Sequence, residues 1–154
     1  MKFAMITAHT DNYKPLSDIT WEQNKKLYCE KHGYDALAKT DNWKYNPFNC
    51  GFDRMDFMIE ALESGKYDWV HAVGCDTMIT NFNIKLEDLI FDDCELIIAT
   101  DCNGINADSY LVKASPTVIN WFKLLHSLHP KYQFDKWRDQ QAMIDHLDMI
   151  SNQL

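Results

Sequence analysis

From Trp69 to Val73 the chain reads Trp-Val-His-Ala-Val, an apolar run broken only by His71, and it gives way at once to Gly74-Cys75-Asp76. A strand with one wet face alternates apolar and polar residues, whereas a run without alternation belongs to a strand covered on both faces. Such strands sit inside parallel sheets that carry helices on either side. Read as a strand from Tyr67 to Val73, this one segment therefore predicts an α/β architecture, with a polar loop and a carboxylate at the strand's exit.

The surrounding sequence agrees. Phe3 to Ala8 is a second short apolar run, closed by His9-Thr10-Asp11-Asn12, and reads as a buried strand opening into a loop. Asp18 to His32 favours helix, with Gly33 placed as its stop. Tyr34 to Lys39 follows as a strand, and Thr40 to Gly51 as a polar, aromatic loop. Phe52, Met55, Met58, Ile59 and Leu62 recur at helical spacing, and Gly65 ends that helix. Glu95 to Thr100 and Ser109 to Lys113 read as further strands. Ser115-Pro116 opens a helix, with serine as cap and proline in the first turn, that runs to Pro130. A last helix spans about Lys136 to Asp148. Strand and helix alternate through the first half, so the sheet is expected to be mostly parallel. Its ligand is then expected at the carboxyl ends of the strands, at Thr7 to Asn12, Gly74 to Asp76 and Thr100 to Asn106.

At 154 residues and 46% hydrophobic content the chain is expected to form one domain, residues 1 to 154, around one core. The net charge of -8, with no lysine or arginine cluster denser than Lys25-Lys26 and Lys31, argues against nucleic acid as a partner. No run approaches the length of a membrane span, and the N-terminal apolar stretch is too short for a secretion signal. The five cysteines form no CxxC pair and read as reduced thiols of a cytoplasmic protein. Without a P-loop, a GxGxxG fingerprint or a nucleophilic Ser or Cys motif, kinase, dehydrogenase and α/β-hydrolase readings lose their main support.

Three groups of residues could carry chemistry. Asp76, leaving the central strand, is placed either to hold a divalent cation or to cap a turn. Asp101-Cys102-Asn103-Gly104-Ile105-Asn106 packs a carboxylate and two amides around a glycine; it suits reading sugar hydroxyls, and equally suits an Asn-Gly hairpin turn. Trp137-Arg138-Asp139-Gln140-Gln141 opens the last helix, where acidic and amide groups often serve only as caps. His71 inside its strand reads as a core residue, and His9 at a strand end as the histidine placed to contact a ligand.

Taken in order, these pieces resemble the Golgi α-galactosyl-, α-mannosyl- and xyloglucan xylosyltransferases of fungi and plants. The resemblance rests on Asn24-Lys25-Lys26-Leu27-Tyr28 continuing to His32-Gly33-Tyr34, on Arg54 in the next helix, and on Trp69 to Asn81 with Asp76, Ile79 and Asn81 in place. It continues through Asp101 to Ser115 and ends on Trp137, Asp139 and Gln140, covering roughly residues 2 to 147. It implies a Rossmann-like GT-A fold and a glycosyltransferase that moves a hexose or pentose from a UDP- or GDP-sugar to a glycan hydroxyl with retention, helped by Mn²⁺ or Mg²⁺. By the same resemblance Asp76 binds metal, and Asp101, Asp139 and Gln140 act at the reacting centre. Asn103, Gly104 and Asn106 hold the donor sugar, with Thr7, His9 and Arg54 completing the donor site. The chain departs from the family at two places. Gly74 stands where the first aspartate of the Asp-x-Asp motif is expected, and Asp108 stands where the family has a small residue. With the family's third ligand expected from a region past Leu154, His146, Cys75 and Asp108 are the candidates to stand in. These features point to a compact, anchorless relative of microbial or viral type decorating a surface glycan. The alternative is a degenerate domain that binds nucleotide-sugar or docks on a partner without transfer.

Overall fold

The computed structural model describes residues 1–45, 50–91 and 93–151, so the expected loop from Thr40 to Gly51 lies partly outside the described residues. Strand β1, Phe3–Ala8, is buried along its whole length. After a single 3-10 turn at Asp11–Tyr13 comes α1, Lys14–Ser17, which runs on through a π-helical stretch at Asp18–Lys25 into α2, Lys26–His32. The helical segment thus starts one turn earlier than expected, because Pro15 falls in its first turn, where a missing N–H costs nothing. Gly33 ends it at φ 74, a left-handed conformation that glycine enters without a Cβ clash.

Strand β2, Asp35–Lys39, pairs parallel with β1 on one side, and β3, Trp69–Val73, pairs parallel with it on the other. Between them in sequence lies α3, Cys50–Glu63. Strands β4, Leu96–Asp101, and β5, Gly104–Lys113, form an antiparallel hairpin whose second strand docks antiparallel on β3. The sheet order is β2-β1-β3-β5-β4, and β5 alone runs against the other four strands. Strand β5 starts five residues earlier than expected. Its Asn-Gly-Ile-Asn opening reads as loop, yet Ile105 and Ala107 are buried at alternate positions and keep the strand in register across a bulge at Ile98 and Ala99.

Helix α4, Pro116–Ser127, opens as expected, the Ser115 hydroxyl accepting from the Val118 N–H. It is followed by α5, His129–Tyr132, α6, Arg138–Asp145, and α7, Leu147–Ser151. The last helix expected as one piece is thus two. Trp121 Nε1 donates to the His146 carbonyl at 2.9 Å, at the point where α6 ends and the backbone leaves helical geometry.

Two cores sandwich the sheet. On one face Ala4, Ile6, Val70, Ala72 and Tyr110 pack under α3 and α4, with Phe52, Met55, Met58 and Phe122 fully buried. On the other, Phe3, Met5, Trp69, Val73 and Leu111 meet Trp21, Tyr28 and Cys29 of the N-terminal helical segment. No helix among the described residues is long and apolar enough to cross a membrane.

Candidate active site

A cleft of about 620 Å³ opens at the carboxyl ends of β1 and β3, of the size usual for small-molecule sites. Because β5 runs the other way, it is the first half of that strand, at Ala107 and Asp108, that reaches the same place. The remaining walls are Ala8 to Tyr13 after β1, Cys50, Gly51 and Arg54 at the start of α3, Gly74 to Asp76 after β3, and Trp137 to Gln140 at the start of α6.

The loop that carries Asp76 is clamped from below. Lys25 is wholly buried and its ammonium donates to the Gly74 carbonyl at 2.7 Å. Thr20 Oγ1 donates to the Cys75 carbonyl, and Asn24 both donates to Ile79 O at 3.0 Å and accepts from Ile79 N at 2.7 Å. Burial pulls the Lys25 pKa down to about 8, partly countered by Cys75 and Asp76.

Glycine at 74 leaves a gap that two carboxylates use. A Cβ placed there would lie 2.8 Å from Asp76 Oδ1 and 3.0 Å from Asp108 Oδ1. The Gly74 N–H donates to the Asp108 carbonyl at 2.8 Å, which ties the two residues at the backbone as well.

Across the cleft Arg54, 7% exposed, donates through Nη2 to the Ala107 carbonyl at 2.6 Å. Its guanidinium lies 3.7 Å from both Asp108 and Asp139 and over the Tyr110 ring at 5.8 Å. Burial works against its charge, but Tyr110, Asp139 and Asp108 outweigh burial and hold its pKa above the ordinary arginine value. Its Nε is buried with no hydrogen-bond partner among the described residues. Asp139 is pushed the other way: burial lifts its carboxyl above the usual range despite Arg54. Gln140 Oε1 accepts from the Ala107 N–H at 3.0 Å, fixing the start of α6 to β5. Arg138, just before Asp139, is left-handed at φ 42, a conformation costing a side chain about 1 kcal/mol or more.

Of the residues singled out from sequence, His9, Arg54, Asp76, Asp139 and Gln140 line the cleft. Thr7 lies beneath it, fully buried, its hydroxyl donating to the Val73 carbonyl and so joining β1 to β3. Asp101, Asn103, Gly104 and Asn106 do not line it. They form the β4–β5 turn, where Asp101 accepts from Asn103 N at 2.6 Å and from Asn106 Nδ2 at 2.8 Å, with Gly104 at φ 107. Asn106 nevertheless reaches toward the site, its Oδ1 accepting from Asp108 N. His71 is a core residue as expected, its ring against Ser109 Oγ at 3.0 Å and its pKa pulled to about 4 by burial and by Lys25. Of the three candidates to replace a missing metal ligand, Asp108 and Cys75 line the cleft, whereas His146 lies against Tyr132 elsewhere.

Sequence reasoning missed Gly51 and Tyr13, and quoted Lys25 only as part of the Asn24 to Tyr28 pattern, without a role. From sequence Gly51 closes the expected loop and gives no signal; in the structure it lies one residue inside α3, where a glycine costs about 1 kcal/mol against alanine and so asks for a reason. The reason is a close approach: a Cβ there would meet all three carboxylate atoms of Asp139 at 2.5 Å or less.

The model of the galactosyl transferase GMA12/MNN10 family matches residues 5–97 of this chain. The probable alpha-1,6-mannosyltransferase MNN10 of Saccharomyces cerevisiae is 27% identical over 136 residues, covering 67% of this chain. The chain spans 34% of that protein's length. Among solved structures, a glycosyltransferase involved in the glycosylation of the major capsid of PBCV-1 superposes with a TM-score of 0.79 at 14% identity, over 96% of this chain and 76% of that one. The apo-form glycosyltransferase GlyE of Streptococcus pneumoniae TIGR4 superposes at 0.61 with 17% identity, over 96% and 44%. These likenesses bear on fold, and the fold is the GT-A type expected from the sequence.

Proposed function

The chain belongs to the galactosyl transferase GMA12/MNN10 family, and on that premise we propose that its cleft binds a nucleotide-diphosphate sugar and passes a hexosyl or pentosyl group to a glycan hydroxyl with retention. One observation carries the reading: Arg54, Asp76, Asp139 and Gln140, from three separate segments, converge on one cleft at the strand ends.

In this reading the loop from His9 to Tyr13 receives the base and ribose. Asp76 faces the diphosphate from a loop that Lys25, Asn24 and Thr20 hold still. Asp139 and Gln140 stand beside the reacting carbon, with Arg54 keeping the Asp139 carboxylate in place. Fixed charges and dipoles of this kind act where charge develops in the transition state, and their positions cost no rearrangement during the reaction. The turn bearing Asp101, Asn103, Gly104 and Asn106 would meet a sugar that reaches past Asp108.

A divalent cation, Mn²⁺ or Mg²⁺, belongs to the same proposal, and the residues present fit one. The carboxylate oxygens grouped at the side-chain gap of Gly74 are hard donors of the kind such ions prefer. No group of three or more His, Cys, Asp or Glu side chains suited to a metal occurs among the described residues, so Asp76 would share the ion with the phosphates of the donor. Bound there, the ion supplies charge neutralisation for the departing nucleoside diphosphate.

Thermal unfolding with a panel of UDP- and GDP-sugars, with and without Mn²⁺, tests the reading. A donor at about a hundred times its dissociation constant adds roughly 2.7 kcal/mol of stability, and one donor is expected to give that shift only with metal. Asp76→Asn is expected to abolish both the shift and transfer while unfolding at the wild-type temperature without ligand. Binding without turnover would assign the domain to recognition alone, and no shift with any donor would overturn the proposal.

A further inference from the structure

Gly74 stands where the resemblance drawn from sequence expects the first carboxylate of an Asp-x-Asp motif, and the geometry points to Asp108 as its replacement, delivered from the neighbouring strand. The inference rests on the donor-site reading above and deepens it. The metal would be clasped by Asp76 from the loop after β3 and Asp108 from midway along β5, rather than by two aspartates on one loop.

Three observations support the exchange. The first is spatial: Asp76 Oδ1 and Asp108 Oδ1 lie within 3.0 Å of one point, and that point is where a side chain on residue 74 would begin. The position that would carry the missing aspartate is thus the place where the second carboxylate has come to rest. The second is mechanical. Asp108 is held at both backbone groups, its carbonyl by the Gly74 N–H at 2.8 Å and its N–H by Asn106 Oδ1 at 2.8 Å. The root of its side chain is therefore set against β3, while the side chain itself stays 54% exposed toward the cleft. The third is chemical. Asp108 keeps carboxylate oxygens open to the cleft: its ion pair with Arg54 is long, at 3.7 Å.

The steric relation also accounts for the glycine. A Cβ at 74 would meet Asp76 Oδ1 at 2.8 Å and Asp108 Oδ1 at 3.0 Å, so a side chain there would push both carboxylates from their places. Two protein carboxylates form an incomplete shell, so the ion is expected to bind well only together with a nucleoside diphosphate.

Mn²⁺ binding, followed by the electron paramagnetic resonance of the free ion in the presence of UDP or GDP, tests the clasp without reference to activity. Asp108→Asn is expected to weaken Mn²⁺ binding at least about tenfold, the lower end of what losing a metal-site partner costs, with an unchanged unfolding temperature. Gly74→Asp alone is expected to bind worse than wild type, through collision. Gly74→Asp combined with Asp108→Ala is expected to bind better than either single change. Wild-type affinity in Asp108→Asn, or a double variant no better than Asp108→Ala, overturns the inference and leaves the donor-site reading intact. If the wild-type protein binds no Mn²⁺ with either nucleotide while still being stabilised by a donor sugar, the clasp falls and a metal-free donor site stands. If it binds neither, both fall.

Discussion

Gly51 and Asp139 compete for one volume: the carboxylate of Asp139 fills the space that a side chain on Gly51 would need. The two residues stand at the starts of α3 and α6, so the glycine lets one helix terminus approach the other. Since the obstructing atoms belong to a side chain, Gly51→Ala should turn Asp139 away rather than unfold the protein. Misplacement of a reacting group by about 1 Å costs on the order of a hundredfold in rate. A fall of that size in turnover, with the unfolding temperature unchanged or raised, is the expected outcome of steady-state assays with whichever donor the binding screen selects.

Arg54 faces two carboxylates while almost wholly buried, so its removal should be felt in stability. Deleting one member of a buried pair leaves an unpaired charge and costs about 3–5 kcal/mol. Here the 3.7 Å separations argue for the lower end. Urea midpoints of Arg54→Met, Asp139→Asn and the double variant should show the double less destabilised than the sum of the singles. Strict additivity would mean that the two side chains do not interact.

Lys25 separates stability from positioning. Its pKa of about 8 against an ordinary 10.5 means that keeping it charged costs roughly 3 kcal/mol. Replacing it by methionine removes that cost but leaves the Gly74 carbonyl without its donor, a loss of about 1–3 kcal/mol. The two nearly cancel, so Lys25→Met should melt within a few degrees of wild type and yet lose affinity for the donor as the Asp76 loop loosens. The cost is present in full below pH 8 and fades toward 10.5. Wild type should therefore gain stability relative to the variant across that interval in paired thermal melts.

His71 gives the protein a titratable weakness on the acid side. Its folded pKa of about 4 lies below the ordinary 6.5, so between those values the unfolded chain binds a proton that the native chain refuses. Stability should fall as pH drops from 6.5 to 4, by up to roughly 3 kcal/mol. His71→Gln keeps a partner for Ser109 and should flatten that part of the curve. Denaturant midpoints of the two proteins at matched pH values isolate this contribution from that of the carboxylates.

What could be read from the sequence was what is decided locally. The apolar run ending at Val73, the glycine after His32 and the Ser115-Pro116 helix start each depend on neighbours a few residues away, and each was in place. Asp139 and Gln140 were recognised through a motif, but their ties to Gly51, Arg54 and Ala107 join segments far apart in the chain. No local pattern encodes those. The stretch from Asp101 to Asn106 shows the same limit from the other side. Amides and a carboxylate around a glycine suit a sugar or a turn equally, and only the hydrogen bonds to Asn103 and Asn106 show the turn. The break at His146 and the π-helical stretch were invisible because helical periodicity does not register a carbonyl drawn off by Trp121 or one extra residue per turn.

The reversed direction of β5 has a consequence for precision. Asp76 lies just past the end of one strand and Asp108 midway along its neighbour, and the Gly74–Asp108 backbone bond is the last rung between the two strands. The root of Asp108 is therefore set by a hydrogen-bonded ladder, and Asp76, two residues past the last rung, is set by the Lys25, Thr20 and Asn24 bonds to its loop. Other surface loops around the cleft can lengthen, shorten or drift over evolutionary time without disturbing that calibration.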